Sequence, residues 1–196
     1  MIEILTVCTG NICRSPLAAQ MLATRLADLA PHVHSAGTRA RDGHPMTPDA
    51  ADLARGVGVT GDLSAAHRSR FLTEAHLVSP DLILAMDRDH RRAVAELAPG
   101  RSRVTFTVRE FARLAAATPD EAIRQGAATG GTASERLRGA LAVVAGQRGL
   151  ALPPANPADD DVIDPYRRSA ATYARSLAEL SPGIDAVVRV TRLAIG

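Results

Sequence analysis

The 196-residue chain contains no tryptophan and no lysine, and only three phenylalanines, two tyrosines and two cysteines. With aromatics at 3%, its core must be assembled from Ala, Leu and Val. All 23 basic residues are arginine, scattered rather than massed, and the formal net charge is +2. That scatter argues against a nucleic-acid-binding tail and a polybasic membrane anchor. No apolar run approaches the roughly 20 residues that a bilayer-spanning helix needs. No basic stretch leading into an apolar one opens the chain, so no secretory leader is expected. Two cysteines make no disulfide framework; they point to a reducing, cytoplasmic setting and to thiols kept for chemistry.

What is present has the balance of a globular domain, 46% hydrophobic and 22% charged, at a length that suits one core. Glu3–Cys8, Val33–Ala36, Asp81–Met86 and Val104–Thr107 read as buried strands. Helical recurrence separates them: Pro16–Leu29 with Leu17, Met21, Leu22 and Leu26 on one side, Thr47-Pro48 opening a helix that stops near Gly56, Asp87–Ala98, and a run from Arg109. Strands alternating with helices predict an α/β fold, a parallel sheet covered on both faces with right-handed crossovers.

From about 115 to 158 the alternation loosens. Thr118-Pro119-Asp120-Glu121 and Thr132-Ala133-Ser134-Glu135 both have the form of capping boxes. The second opens a helix with Leu137, Leu141 and Val144 on one face; GAATGGT precedes it and LPPANPADDD follows. The segment reads as one or two helices inserted into a single domain spanning 1–196. A last helix begins near Ser169 and is expected to be interrupted or kinked at Pro182.

Both cysteines fall in one turn, VCTGNICRSP, between the first strand and the first helix. Such a turn offers free amides and the positive end of a helix, a natural oxyanion site. Gly10 permits close backbone approach, and Asn11 tolerates positive φ. Ser15 is placed to cap the helix, with Pro16 at its first position. Cys8 and Arg14 stand at the two ends, with five residues between them. Amide donors and a guanidinium favour a thiolate, and the arginine fork fits two phosphate oxygens. A cysteine ending a strand is usually packing, but Gly, Asn, Arg and Ser here occupy the places a phosphate cradle needs. The chemistry is nucleophilic phosphoryl transfer, with no metal or other cofactor expected. No Gly-Lys-Ser/Thr follows, so this is not a Walker loop. Cys8 and Cys13, with His44 and His67 at no ligand spacing, do not make a zinc site.

CTGNICRSP resembles the signature of the low-molecular-weight protein tyrosine phosphatases. SAGT at Ser35–Thr38, His67-Arg68-Ser69-Arg70 with DLILAMDRDH at Asp81–His90, and DPY at Asp164–Tyr166 match in order. The resemblance covers Ile2 to about Phe111 and resumes at Asp161; the segment between is longer than the family usually has. It implies a small, doubly wound sheet of four parallel strands. It also implies Cys8 as nucleophile, Arg14 as phosphate clamp, and Thr9, Gly10, Asn11, Ile12, Cys13 and Arg14 as the phosphate-binding loop. Asn11, Ser15, Ser35 and His67 would form the polar network shaping that loop. Asp164, stiffened by Pro165, would be the general acid; composition alone reads Asp159, Asp160 and Asp161 as a solvated run whose charge raises the proton affinity of Asp164. Cys13 is either packing or a thiol that captures oxidised Cys8, and the resemblance favours the latter. Tyr166 reads as a pocket wall.

The implied activity is a cysteine-dependent, metal-independent phosphatase acting on protein phosphotyrosine through a phosphocysteine. Three rivals stand beside it: a protein phosphoarginine phosphatase, an arsenate reductase using an external thiol, and a noncatalytic phosphate-binding interaction protein. Thr9 is compatible with the first two substrates. GTRARDGHP at Gly37–Pro45 lacks the aromatic ring that many relatives place beside the pocket. Expected partners are a phosphorylated protein and an oxyanion such as inorganic phosphate, with no nucleic acid and no membrane insertion.

Overall fold

Ile4, Leu5 and Val7 are wholly buried in β1, Glu3–Cys8. The computed structural model describes residues 1–196. β1 is flanked by β2, His32–Gly37, and β3, Leu82–Ala85, with β4, Thr105–Thr107, outermost beyond β3. The order is β2-β1-β3-β4 and every pair is parallel. Alternation of side chains along the strands produces two cores. Ile4, Leu82, Leu84 and Phe106 enter the larger one; Leu5, Val7, Ile83 and Val94 form the smaller one on the opposite face. Parallel strands need crossovers, and helices supply them. The crossovers carry α1 (Arg14–Arg25), α2 (Pro48–Gly56), α3 (Gly61–Ala66) and α4 (Arg88–Leu97); α5 (Val108–Ala116), α6 (Asp120–Ala127), α7 (Ala133–Gly146) and α8 (Ala170–Ile195) follow the last strand.

The register aligns Cys8 with Gly37, Val7 with Ala85 and Ala85 with Thr107. The carboxyl ends of β1, β2 and β3 therefore meet along one margin of the sheet, where doubly wound folds bind ligands.

Several local expectations are corrected. α1 starts at Arg14, two residues before Pro16, and Cys13 supplies no side-chain cap. Ser15 lies inside the first turn with its hydroxyl aimed at Cys8 and Ala36, so it does not cap the helix. Thr118 is no cap either: its buried hydroxyl donates to the Leu114 carbonyl at 2.8 Å, an acceptor left open by the end of α5. The box at Thr132 and Glu135 forms, and an unforeseen one joins Thr107 to Glu110 at the start of α5. α3 was not foreseen, because GDLSAA offers one large apolar residue and hence no periodicity. α8 runs through Pro182 without a break; the Ser181 hydroxyl donates to the Leu177 carbonyl one turn earlier.

α6 and α7 close onto the larger core, since Ile123, Ala127, Leu137, Leu141 and Val144 share it with Ile4 and Phe106. α7 is also tied to the amino end of the sheet. Buried Asp81 accepts the Glu3 amide at 2.9 Å, and the Ser134 hydroxyl and the Arg138 Nε at 2.6 Å each.

Candidate active site

The loop leaving β1 is held from two sides. The Thr38 amide donates to the Cys8 carbonyl and the Arg39 amide to the Thr9 carbonyl, both at 2.9 Å. This approach depends on Gly37, where a Cβ would stand 2.5 Å from the Thr9 carbonyl oxygen and 2.9 Å from the Asn11 nitrogen. Asn11 turns the loop at φ 54°, in the left-handed region, and is fully buried. Its side-chain amide donates to Ser15 Oγ at 2.9 Å and Ser35 Oγ at 2.8 Å, and its Oδ1 accepts the Arg70 amide at 2.9 Å. His67 Nε2 lies 2.8 Å from the Asn11 carbonyl. Burial pushes the His67 imidazole below its ordinary range, against the pull of that hydrogen bond and with help from the Arg70 and Arg68 charges. A neutral ring with Nε2–H donating satisfies the geometry. Asn11, Ser15, Ser35 and His67 thus form one connected network.

The Cys8 sulfur accepts the Asn11 amide at 3.3 Å and lies 3.0 Å from the Ser15 hydroxyl, whose proton is shared between the sulfur and the Ala36 carbonyl at 3.4 Å. Cys13 has different surroundings. Its Sγ is 3.4 Å from Thr47 Oγ1 and 3.6 Å from the Tyr173 hydroxyl, which also contacts Thr47 at 3.1 Å. Burial raises the Cys13 thiol above its ordinary value, with the Thr47 and Tyr173 hydrogen bonds opposing and the Cys8 and Asp164 charges adding to the rise. Burial also pushes the Tyr173 phenol up to about 12. Cys13 is held as a protonated thiol at neutral pH.

Arg14 is almost fully buried, which fixes its fork in place. Nη1 donates to the Val162 carbonyl at 2.9 Å and lies 3.4 Å from Asp87 Oδ2; Nη2 lies 3.1 Å from Asp164 Oδ2 and 3.5 Å from Thr9 Oγ1. Burial opposes charge on Asp87, but hydrogen bonds from His90 and the nearby cations outweigh it and hold its carboxyl below the ordinary range. His90 completes a ring back to the loop, with Nε2 2.8 Å from Thr9 Oγ1. The Val162 amide donates to the Met86 carbonyl at 2.9 Å, which hangs the Asp164 segment from the end of β3.

Asp164 is half-exposed and accepts the Tyr166 amide at 3.2 Å. The expected crowding by neighbouring aspartates is relieved at two of the three: Asp161 pairs with Arg88 at 2.9 Å and Asp160 with Arg113 at 3.1 Å, while Asp159 has no arginine partner. The partner of Asp164 is the Arg14 cation. A cavity of about 440 Å³ opens above the loop. Thr9, Gly10, Ile12 and Cys13 line it beside Cys8 and Arg14, Asp164 and Tyr166 bound it, and Arg39, Arg41 and Arg167 stand at its rim. Ser15, Ser35 and His67 lie behind the loop and do not line the cavity. Asp87, His90, Thr47, Tyr173 and the rim arginines were not singled out from sequence. MDRDH directly after a parallel strand was the available signal for Asp87 and His90, since that is the ligand-binding margin.

A family model described as low molecular weight phosphotyrosine protein phosphatase matches residues 3–120. The low molecular weight protein-tyrosine-phosphatase Etp of Escherichia coli is 43% identical over 97 residues, which cover 50% of this chain and 62% of that protein. The chain therefore spans under two thirds of the length of that relative. A protein-arginine-phosphatase of Geobacillus stearothermophilus is 36% identical over 109 residues, 56% of this chain and 70% of the relative. Among solved structures, a low molecular weight protein tyrosine phosphatase from T. tengcongensis superposes with a TM-score of 0.66 at 27% identity, covering 96% of this chain and 98% of that one. With residues 3–120 matched and the sheet superposed on a solved relative, this chain belongs to the low molecular weight phosphotyrosine protein phosphatase family.

Proposed function

We propose that this protein is a cysteine-dependent phosphatase of protein phosphotyrosine. The observation that carries this reading is the Cys8 sulfur at the cavity floor, with the Asn11 amide directed at it, the Ser15 hydroxyl beside it and Arg14 in the same loop. A sulfur so placed serves as the nucleophile. In the first step the sulfur attacks phosphorus, the P–S bond forms and the P–O bond to the leaving group breaks. Loop amides and Arg14 hold the three equatorial oxygens, and Asp164 gives its proton to the departing oxygen. The entering dianion takes the place of Asp164 as the partner of Arg14, and its charge favours protonation of Asp164. In the second step Asp164 takes a proton from water, water attacks phosphorus, and the P–S bond breaks to return the Cys8 thiolate and release phosphate. Cys13 is the proposed capture thiol for a Cys8 sulfenic acid, forming a disulfide with loss of water. Two free thiols support a reducing, cytoplasmic setting. The helices α6 and α7 are proposed as an elaboration of one domain.

Phosphoarginine is the second reading, because a relative of comparable identity bears that name. The rim favours phosphotyrosine. Arg39, Arg41 and Arg167 line the mouth and none is salt-bridged to a carboxylate, unlike most arginines in the chain. Three cations repel the guanidinium that phosphoarginine carries, whereas the Tyr166 ring, with the Arg167 guanidinium 5.2 Å over it, stands at the mouth where an aryl ester would enter. Paired turnover of phosphotyrosine and phosphoarginine peptides tests the choice, with the tyrosine substrate expected to be faster. Cys8→Ser should drop hydrolysis of p-nitrophenyl phosphate to the uncatalysed background; retained activity would sink the mechanism.

A further inference from the structure

We propose that Glu3, His32 and His34 form a binding site for a divalent transition-metal ion, zinc or nickel, at the end of the sheet opposite Cys8. In the ladder between β1 and β2, Glu3 stands directly across from His32. His34, two residues along the same strand, shares that face. His34 Nε2 is 3.0 Å from Glu3 Oε1, and His32 Nδ1 is 3.9 Å from the same oxygen. The two imidazoles stack 4.8 Å apart at 7°, so both rings border one carboxylate. One ligand atom from each residue lies within 4.8 Å of the other two.

Tetrahedral bonds of about 2.0–2.1 Å set ligand atoms ~3.3 Å apart. The Glu3–His34 spacing already matches; because nitrogen lone pairs lie in the ring plane, His32, more than half exposed, leaves its stack on His34 and rotates to bring its nitrogen to the ion. Its exposure also leaves room for water as a fourth ligand. The Ser79 hydroxyl donates to Glu3 Oε1 at 3.0 Å, the kind of outer contact that orients a ligating carboxylate. His76 stacks 6.4 Å from His34 but is outside the group whose ligand atoms lie within 4.8 Å of one another, which leaves three protein ligands. Two imidazoles and one carboxylate are a borderline donor set that selects zinc, nickel or cobalt over magnesium and calcium. β1 separates Glu3 from Cys8 by about 17 Å at ~3.4 Å per residue, so the ion does not touch the reacting sulfur. Bound to the native ladder alone, it stabilises the fold.

The test uses the full chain with Cys8→Ser and Cys13→Ser, so that thiols do not compete for the ion. Calorimetric titration should show one equivalent of zinc bound, and zinc or nickel should raise the unfolding midpoint while magnesium does not. In the same background His32→Ala, an exposed position, should weaken zinc binding at least tenfold and remove the midpoint shift. Glu3→Gln should act in the same direction. Unchanged binding in both variants places the ion elsewhere and overturns the proposal, as does an absence of binding at millimolar zinc.

Discussion

Cys8 and Cys13 share one loop, but the hydrogen bonds around them differ in kind. Cys8 receives the Asn11 amide and lies beside the Ser15 hydroxyl, while Cys13 is buried against Thr47 and Tyr173 with its thiol raised. Asp164 has its own residue-level prediction. Asp164→Asn removes the transferable proton but keeps the size of the side chain, so kcat/KM should fall by about 10²–10⁴. The loss should be largest for alkyl and poorly leaving aryl phosphates, and an equal loss across leaving groups would exclude the acid role. His67 sets a pH dependence of stability. Its folded imidazole titrates below the ordinary value of about 6.5, while the unfolded chain titrates near that value. The unfolded state therefore binds more protons below pH ~6.5. Stability is full above that value, falls as pH drops toward the folded pKa, and levels beneath it. Urea midpoints for wild type should drop more between neutral and mildly acid pH than those for His67→Asn.

At the scale of elements, the site is a meeting of strand ends. β1 delivers Cys8, the turn after β2 braces the loop from one side, and the segment after β3 brings Asp87 and holds Val162. Gly37 is where β2 and the loop come closest. Gly37→Ala sets a Cβ against two backbone atoms that cannot rotate away, so about 1–3 kcal/mol of stability should be lost, together with affinity for inorganic phosphate. Urea unfolding and competitive inhibition by phosphate measure the two effects, and a silent Gly37→Ala would show that the approach is slack. Element boundaries also carry a lesson about α1. Ser15 lies within the first turn of α1 rather than at its N-cap, so its hydroxyl meets the Cys8 sulfur and the Ala36 carbonyl instead of the helix-end amides.

Over the whole molecule, the 120–146 helices share the main core instead of forming a second one. Leu141, almost fully buried in that core, makes a direct test. Leu141→Ala should cost about 2–5 kcal/mol in a single transition, with circular dichroism and phosphatase activity lost at coincident urea concentrations. A separate early melt of this region with the activity intact would show that it folds on its own.

Much of this was legible in the chain. Strand runs such as EILTVC and LILA declare themselves because both faces are buried and no polar residue interrupts the pattern. Cys8, Arg14 and Asn11 are legible because the loop is local: seven consecutive residues, Cys8 to Arg14, hold them, and local geometry follows from local sequence. Asp87, His90, Thr47 and Tyr173 were not, because each reaches the loop across long sequence separations that no periodicity encodes. The acidic run misled for the same reason, since Arg88 and Arg113, which pair with two of its three aspartates, come from other helices. Local sequence specifies the Cys8–Arg14 loop and the alternation of strand and helix. Tertiary structure alone decided which partners surround Arg14 and Cys13, which cations ring the cavity, and where Glu3 meets His32 and His34, because those are contacts between distant parts of one chain.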